Sequence, residues 1–275
     1  MTTSFKHVLD ALNDIAPPEL AAPWDNVGLL VENHAPTDDI NRLLLTIDLT
    51  PAVMKEALEH RRDVIVCYHP VIFGGLKRLR AEVPTERVIL DAIRSGISIY
   101  SPHTALDAVE GGVNDWLLDA VGKTNDRHAL EPATIEAPHI GMGRRGRLIT
   151  PTSVDTLLGQ LQEQLGLNYL RVARSQTGHE QQVEHVAVCP GAGGSLLAPL
   201  TDIDLVVTGE MRHHDVLAMS QRGITVCLTE HSNCERGYLA TYRTQLNHAL
   251  QSNIDVMISK VDSDPIDIWD PNRVS

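Results

Sequence analysis

The feature that most constrains the fold is a series of short apolar runs, all but the last followed by a stretch with helical periodicity. The runs cover residues 41–49, 63–68, 97–100, 183–189, 203–207, 224–228 and 254–258. Their apolar residues are nearly continuous rather than alternating, which is typical of strands buried on both faces. Helices between such strands favour parallel pairing. We therefore predict an α/β fold with mixed, mostly parallel sheets.

Two parts of the chain repeat this strand and helix pattern, and a different segment separates them. Residues 123–146 have no clear period and are rich in Pro, His, Gly and Arg, which predicts a linker. We accordingly divide the chain into a first α/β lobe (1–122), a connecting segment with a strand, a helix and a strand (123–182), and a second α/β lobe (183–275). The two lobes are expected to be similar and to face a central cleft.

Composition and charge exclude several classes of protein. The 275 residues carry a net charge of −13, which argues against nucleic acid or an anionic membrane as a partner. No apolar run approaches the roughly 20 residues of a membrane span, and residues 1–10 lack the apolar centre of a secretory signal. The cysteines have no C-x-x-C spacing. We interpret them as reduced, buried thiols of a cytoplasmic protein.

Residues that bind metals follow four of the predicted strands. His69 follows one strand directly, and the other three strands lead into i, i+4 pairs: His103 with Asp107, Glu210 with His214, and His231 with Glu235. Ligands of open α/β sheets bind outside the carboxyl ends of the strands, so all four groups are expected on one side. Imidazoles and carboxylates without cysteine pairs favour a catalytic zinc, iron or manganese site over a closed structural zinc site.

Other interpretations of these residues stay open. Any single i, i+4 pair is also typical of a solvated helix surface or a helix cap. His231 and Glu235 project from one face only if a helix begins by Ser232. The loop at residues 191–195 either cradles an anion through its backbone N–H groups or is simply a tight connection. We expect solvated side chains for Arg144, Arg145 and Arg147, and packing roles for Trp24, Trp116 and Trp269.

Five sequence blocks occur together in a recognisable order. They are P-W-D-N-V-G-L-L-V (23–31), Y-H-P-V-I-F (68–73), S-P-H-T-A-L-D (101–107) with G-V-N-D-W-L (112–117), T-G-E-M-R-H-H-D (208–215) and H-S-N-C-E-R-G (231–237). This arrangement resembles the NIF-three-like family, which is also labelled GTP cyclohydrolase I type II homologue. The closing S-K-V-D-S-D-P (259–265) resembles its eukaryotic branch, and the short middle region is similar to members without an inserted domain.

The resemblance implies a two-lobed fold, a dimer or hexameric ring, and a dinuclear metal site in the cleft. The ligands of bacterial members fall on the positions of Tyr68, His69, Asp107, His231 and Glu235. Tyr68 stands where those members have histidine, and neutral tyrosine is a poor ligand because its pKa is near 10. The resemblance therefore favours one divalent ion held by His69, Asp107 and Glu235 over a second ion held by His231 and a shared Glu235.

Two functions from different classes agree with these observations. The first is a metal-dependent hydrolase with one or two divalent ions, acting on a nucleotide or a phosphorylated small molecule, as a GTP cyclohydrolase does. In that case Tyr68, His103, Glu210 and His214 would donate hydrogen bonds, move protons or orient the substrate. The second is a non-enzymatic metal-binding protein that interacts with a protein partner in transcriptional regulation.

Overall fold

The structure, a computed structural model, describes residues 3–176, 182–251 and 253–269. Its α-helices are α1 (Phe5–Ile15), α2 (Pro51–Glu59), α3 (Pro84–Arg94), α4 (His103–Ala108), α5 (Val113–Val121), α6 (Val154–Leu165), α7 (Gly194–Leu197), α8 (His213–Gln221) and α9 (Tyr238–Ala249). Two 3₁₀ helices cover Pro18–Leu20 and Ser232–Cys234. None of the helices in these ranges is long and apolar enough to cross a bilayer.

The strands complete the element order. They are β1 (Thr3–Ser4), β2 (Gly28–Val31), β3 (Asp39–Ile40), β4 (Arg42–Thr46), β5 (Val64–Cys67), β6 (Ser98–Ser101), β7 (Thr124–His128), β8 (Glu131–Pro132), β9 (Gly141–Met142), β10 (Arg144–Ser153), β11 (Arg171–Ala173), β12 (Gln182–Cys189), β13 (Leu205–Thr208), β14 (Thr225–Leu228) and β15 (Asp255–Ile258).

Two larger sheets carry the fold. The first has the order β15-β4-β5-β6-β2, in which β15, β4, β5 and β6 are parallel and β2 pairs antiparallel with β6. The second has the order β11-β14-β13-β12-β10-β7, in which β12, β13 and β14 are parallel and the flanking pairs are antiparallel. The predicted α/β fold with mixed sheets is confirmed.

The parallel strands are buried on both faces, as their continuous apolar sequences require. Leu43 and Leu45 of β4 point into one core cluster, whereas Leu44 points into another. Since side chains alternate along a strand, both faces of this sheet are covered. Thr50 caps α2 by accepting a hydrogen bond from the backbone N–H of Val53, which stabilises the start of the helix.

Two parts of the chain pair differently from a reading of the sequence alone. The predicted linker contains β7 and the start of β10, which belong to the second sheet. Strand β7 has polar and partly exposed residues throughout, so no apolar run signalled it. Strand β15, near the end of the chain, hydrogen-bonds to β4 in the first sheet. The division of the chain at residues 122 and 183 stays a prediction.

Candidate metal centre

Three side chains with metal-binding atoms converge beyond the carboxyl ends of parallel strands. His69 follows β5, and its backbone N–H extends the pairing with β4 by donating to Ile47 O at 3.0 Å. His231 and Glu235 follow β14, on either side of the 3₁₀ helix Ser232–Cys234. One ligand-type atom from each of His69, His231 and Glu235 lies within 4.8 Å of the others. The first sheet thus supplies one ligand and the second supplies two.

The two central polar atoms of this group lack hydrogen-bond partners among the described residues. His69 Nε2 and Glu235 Oε2 are both buried and unpaired, although they lie 3.4 Å apart. Glu235 Oε1 lies 3.8 Å from His231 Nε2. Leaving buried polar atoms unpaired is costly, and a divalent cation between them satisfies both imidazoles and the carboxylate. The residues present therefore fit a divalent metal.

Carboxylates orient both imidazoles of the group. His69 Nδ1 lies 2.9 Å from Asp48 Oδ1, and His231 Nδ1 lies 2.7 Å from Glu210 Oε1. Such contacts hold the proton on Nδ1 and leave Nε2 with the lone pair that a metal requires. Burial raises the pKa of Asp48, but the hydrogen bond and charge of His69 outweigh it and hold that pKa below its ordinary value. Asp48 therefore remains ionised beside His69.

Two buried carboxyl groups lie close to each other in the site. Burial, and then the charge of Asp107, raise the pKa of Glu235 well above its ordinary value. Burial likewise raises the pKa of Asp107. Tyr68 donates its hydroxyl to Asp107 Oδ1 at 2.5 Å, and burial followed by the charges of Asp107 and Glu235 raises the pKa of Tyr68. Tyr68 thus stays a neutral hydrogen-bond donor.

A third histidine beside the group is oriented in the same way. His103 Nδ1 lies 2.8 Å from Asp25 Oδ1, and the His103 ring centroid is 5.4 Å from that of His69. Burial raises the pKa of Asp25, but hydrogen bonds from His103 and Thr104 outweigh it and hold the pKa below its ordinary value. No hydrogen bond reaches His103 Nε2 from the described residues, so this nitrogen is available to a substrate.

A cavity of about 720 Å³ opens onto these residues. Its lining includes Tyr68, His103, Asp107, His231 and Glu235. This volume lies within the range of small-molecule sites. The expectation of a metal-containing cleft between two lobes stays a prediction.

The loop at residues 191–195 contributes close packing to this cavity. The N–H of Gly191 donates to Cys234 Sγ, and the N–H of Gly193 donates to Thr208 Oγ1. These two groups are therefore engaged within the protein, which favours the tight connection over the anion cradle. Gly191 has a φ of 62°, and a Cβ there would lie 2.8 Å from Glu235 Oε1.

The structure places the other predicted site residues outside the group of three ligands. Asp107 contacts Tyr68 instead of joining the group of three ligands. The resemblance had favoured an ion on His69, Asp107 and Glu235, whereas the geometry pairs His69 and Glu235 with His231. His214 is exposed on α8 and contacts the ring of His213. The assignments of Tyr68, His69, His103, Asp107, Glu210, His214, His231 and Glu235 as catalytic or metal-binding residues stay predictions.

One condition left open by the sequence is not met, and two local expectations were wrong. The helix after β14 begins at Tyr238 and not by Ser232, and a 3₁₀ turn lies between His231 and Glu235. Arg144 is fully buried instead of solvated. Trp24 is 63% exposed beside His103 instead of packed, and Trp269 is exposed as well. The cysteines agree better with expectation, since all four are free thiols and all but Cys189 are buried.

Asp25 and Asp48 are functional candidates that the sequence did not reveal. Asp25 lies in the P-W-D-N block, and Asp48 follows β4. Asp48 ends an apolar strand as His69 does, so the rule that finds ligands at strand ends also identifies it. Neither lies within a helical turn of the histidine that it contacts, which is why i, i+4 spacing missed both.

These observations define an α/β protein with two mixed sheets and a candidate divalent-metal group of two histidines and a glutamate. Residues 3–265 match the family described as Duf34/NIF3 (NGG1p interacting factor 3), and the chain belongs to this family. It is 39% identical to "Protein NIF3 homolog" of Schizosaccharomyces pombe, over 97% of each chain. The resemblance stated from the sequence blocks is confirmed.

Longer relatives show where the chain is short. It is 32% identical to human "NIF3-like protein 1", over 96% of this chain and 92% of the human one. That alignment runs over 349 positions, whereas this chain has 275 residues. The human protein therefore has extra residues within the matched range, as expected if this chain is a short form.

Solved structures share the fold. "The Crystal Structure of Bacillus cereus protein related to NIF3" superimposes with a TM-score of 0.85 at 18% identity and covers 98% of this chain and 100% of that chain. "Reduced HcgD from Methanocaldococcus jannaschii" has a TM-score of 0.80 at 21% identity, over 94% of this chain and 98% of that one. Likeness at these identities shows the fold alone.

Proposed function

We propose that this chain is a metal-dependent hydrolase whose divalent ion is held by His69, His231 and Glu235. The observation that carries the proposal is the pair of buried, unpaired atoms His69 Nε2 and Glu235 Oε2, which lie 3.4 Å apart. Zinc, iron and manganese all accept such a donor set. A divalent ion there supplies positive charge that polarises a substrate oxygen and lowers the pKa of water.

A second ion has weaker support. It would need Asp107, whose Oδ1 already accepts the hydroxyl of Tyr68. We therefore propose one ion per chain at the His69 group, and assign Tyr68 to hold Asp107 in place.

The residues around the ion support a small substrate with a planar ring. Trp24 and Phe73 are both exposed, and their ring centroids lie 6.1 Å and 6.5 Å from that of His103. Exposed aromatic rings at the edge of a polar site stack on nucleobases. His103, oriented by Asp25, is placed to hold or move a proton at Nε2. A nucleotide-like or phosphorylated small molecule is the substrate class that this arrangement favours.

The test is metal-dependent turnover of the purified protein. Protein supplied with manganese, zinc or iron is screened against nucleotides, GTP included, and against phosphoesters. Glu235→Ala and His69→Ala should each lose most of the turnover, because each removes a ligand. His7→Ala changes an exposed histidine on α1 and serves as the control, with turnover retained.

Two results would count against the hydrolase. One is normal turnover in Glu235→Ala, and the other is no turnover with any of the three metals. Tight metal binding without turnover would instead favour the non-enzymatic metal-binding protein with a protein partner.

A dimer or hexameric ring, which the resemblance implies, is a separate proposal. It is tested by the molar mass that light scattering gives during size-exclusion chromatography of the protein.

A further inference from the structure

The segment after β15 crosses from the first sheet towards the candidate metal centre. Ser259 N donates to Leu45 O at 2.8 Å, and Ser259 Oγ donates to Glu56 Oε2 at 2.5 Å. Lys260 N donates to Glu56 Oε1 at 3.0 Å. These bonds fix the direction in which the chain leaves the sheet. We call residues 259–266 the C-terminal strap.

Asp262 of the strap contacts the backbone of one residue and the side chain of another, and each of these residues neighbours a site residue. Its side chain is only 2% exposed. Its Oδ2 accepts the N–H of Ile47 at 2.8 Å and also accepts Arg236 Nη1. Ile47 precedes Asp48, which orients His69, and Arg236 follows Glu235. One carboxylate thus bonds to the residue before Asp48, the partner of His69, and to the residue after the ligand Glu235.

Asp264 of the strap holds the turn that carries the third ligand. Its Oδ2 accepts the hydroxyl of Ser232 at 2.7 Å and the N–H of Ser232 at 3.3 Å. Ser232 follows His231 directly. Arg236 Nη2 donates to the same hydroxyl at 2.7 Å, so the bonds of Asp262 and Asp264 form one connected network.

Part of the strap also lines a cavity beside the imidazoles. Pro265 and Ile266 line a cavity of about 450 Å³ together with His69 and His231. The strap therefore bonds to residues that neighbour the ligands or their partners, and it also lines the cavity beside the imidazoles.

We propose that Asp262 and Asp264 are positioning residues that set the distance between the ligand of the first sheet and the two ligands of the second. The proposal rests on the proposed function, because it requires His69, His231 and Glu235 to bind an ion. The ligands come from separate parts of the chain. The strap bonds to the backbone N–H of Ile47, whose carbonyl accepts the N–H of His69, and to that of Ser232, which follows His231. Fixing the ligands in advance raises metal affinity, and losing an outer partner lowers it about 10- to 100-fold.

The test is a titration of the metal-free full-length protein with Co²⁺, followed by visible absorption. Asp262→Ala and Asp264→Ala should each bind Co²⁺ at least about 10-fold more weakly than the wild type, with altered absorption bands because the ligand geometry changes. Asp264→Asn retains an acceptor oxygen for Ser232 and should restore the wild-type spectrum. Thermal unfolding by circular dichroism establishes that each variant is folded.

The matched control is Asp255→Ala on β15. Asp255 pairs with the buried Arg62, so this variant also loses a hydrogen-bonded carboxylate in the C-terminal part of the chain. It lies at the opposite end of the parallel strands, beside Arg42, and should bind Co²⁺ with the wild-type affinity and spectrum.

The outcomes separate the two proposals. Wild-type binding and spectra in Asp262→Ala and Asp264→Ala would overturn the positioning role alone, and so would equal losses in these variants and in Asp255→Ala. A wild type that binds no Co²⁺, or that binds it equally well after His69→Ala, would overturn the proposed metal site and the positioning role with it.

Discussion

At the scale of the residue, the candidate metal centre depends on which nitrogen of each imidazole is engaged. Nδ1 contacts a carboxylate in three pairs: His69 with Asp48, His103 with Asp25, and His231 with Glu210. The histidines were predictable because each follows an apolar strand. The partners of His69 and His103 were not, since they lie 21 and 78 residues away and only tertiary packing brings them together.

The raised pKa of Glu235 predicts a pH-dependent cost in the metal-free protein. A carboxyl group with a higher pKa in the folded state binds more protons there than in the unfolded chain. Its contribution to stability therefore falls as pH rises from the ordinary value of 4.5 through the folded value. With EDTA present, Glu235→Gln should become progressively more stable relative to the wild type as pH rises above about 4.5, because only the wild type loses stability by keeping a buried carboxyl group protonated.

Denaturant unfolding of both proteins at several pH values measures this difference. Asp25 and Asp48, whose folded pKa values are lowered, give stability that is present above their unfolded value of 3.8 and is lost as pH falls through the folded values. They leave the comparison above pH 5 unaffected. A stability difference that does not change with pH would show that Glu235 is ionised throughout.

At the scale of the element, connections after the strands place the site, and the loop after β12 packs directly against two of the ligands. Gly191 has a φ of 62° and faces Glu235 Oε1 and His231 Nε2. Glycine adopts this backbone conformation without strain, and the missing Cβ leaves room for both ligands. Sequence reasoning found the glycine-rich loop and left open what its glycines do, because a close approach between distant segments leaves no periodic signal.

Gly191→Ala should therefore weaken metal binding. The new methyl group would lie 2.8 Å from Glu235 Oε1 and 3.0 Å from His231 Nε2, so at least one ligand must move. We expect a loss of Co²⁺ affinity of at least about 10-fold, similar to that from a lost outer partner, measured by competition with a chelator.

Gly96→Ala is the control for backbone strain. Gly96 has a φ of 69°, and a Cβ there would meet no atom within 4 Å. This variant should lose about as much stability as Gly191→Ala through strain alone, while keeping its metal affinity. Equal affinities in the two alanine variants would show that Gly191 does not shape the site.

At the scale of the whole molecule, Arg144 joins parts of the fold that belong to different core clusters. It lies on β10 of the second sheet, and its Nη2 donates to Ala108 O at the end of α4. Its Nε donates to Asp115 Oδ1 at 3.0 Å. The side chains of Arg144 and Asp115 are both buried. The neighbouring Arg145 pairs with Asp202 at the surface.

Arg144→Met should destabilise the fold by about 3–5 kcal/mol, because it leaves the buried Asp115 without its charged partner. Arg145→Met removes an exposed pair and should cost no more than about 1 kcal/mol. Urea unfolding midpoints of the two variants measure the contrast. Similar losses of stability in the two variants would mean that Asp115 forms another hydrogen bond or becomes protonated when Arg144 is replaced.

The sequence predicted the layered α/β architecture well because its central strands are continuously apolar. It failed where tertiary contacts decide the structure. Strand β7 is polar and pairs at an edge, and Arg144 is buried only because carbonyl groups from two segments surround it. The same limit applies to the metal group, since the pairing of His69 with His231 depends on how the two sheets meet.

The return of the chain to its first sheet has a consequence for synthesis on the ribosome. Helix α9 and strand β15 share a core cluster with α1 and β4, since Tyr242 and Val256 pack with Leu12 and Leu43. The strands of the second sheet, β7 and β10 to β14, are all translated before α9 and β15 emerge. The core around the first sheet therefore cannot be completed until segments near the end of the chain are synthesised. All strands of the second sheet are available earlier.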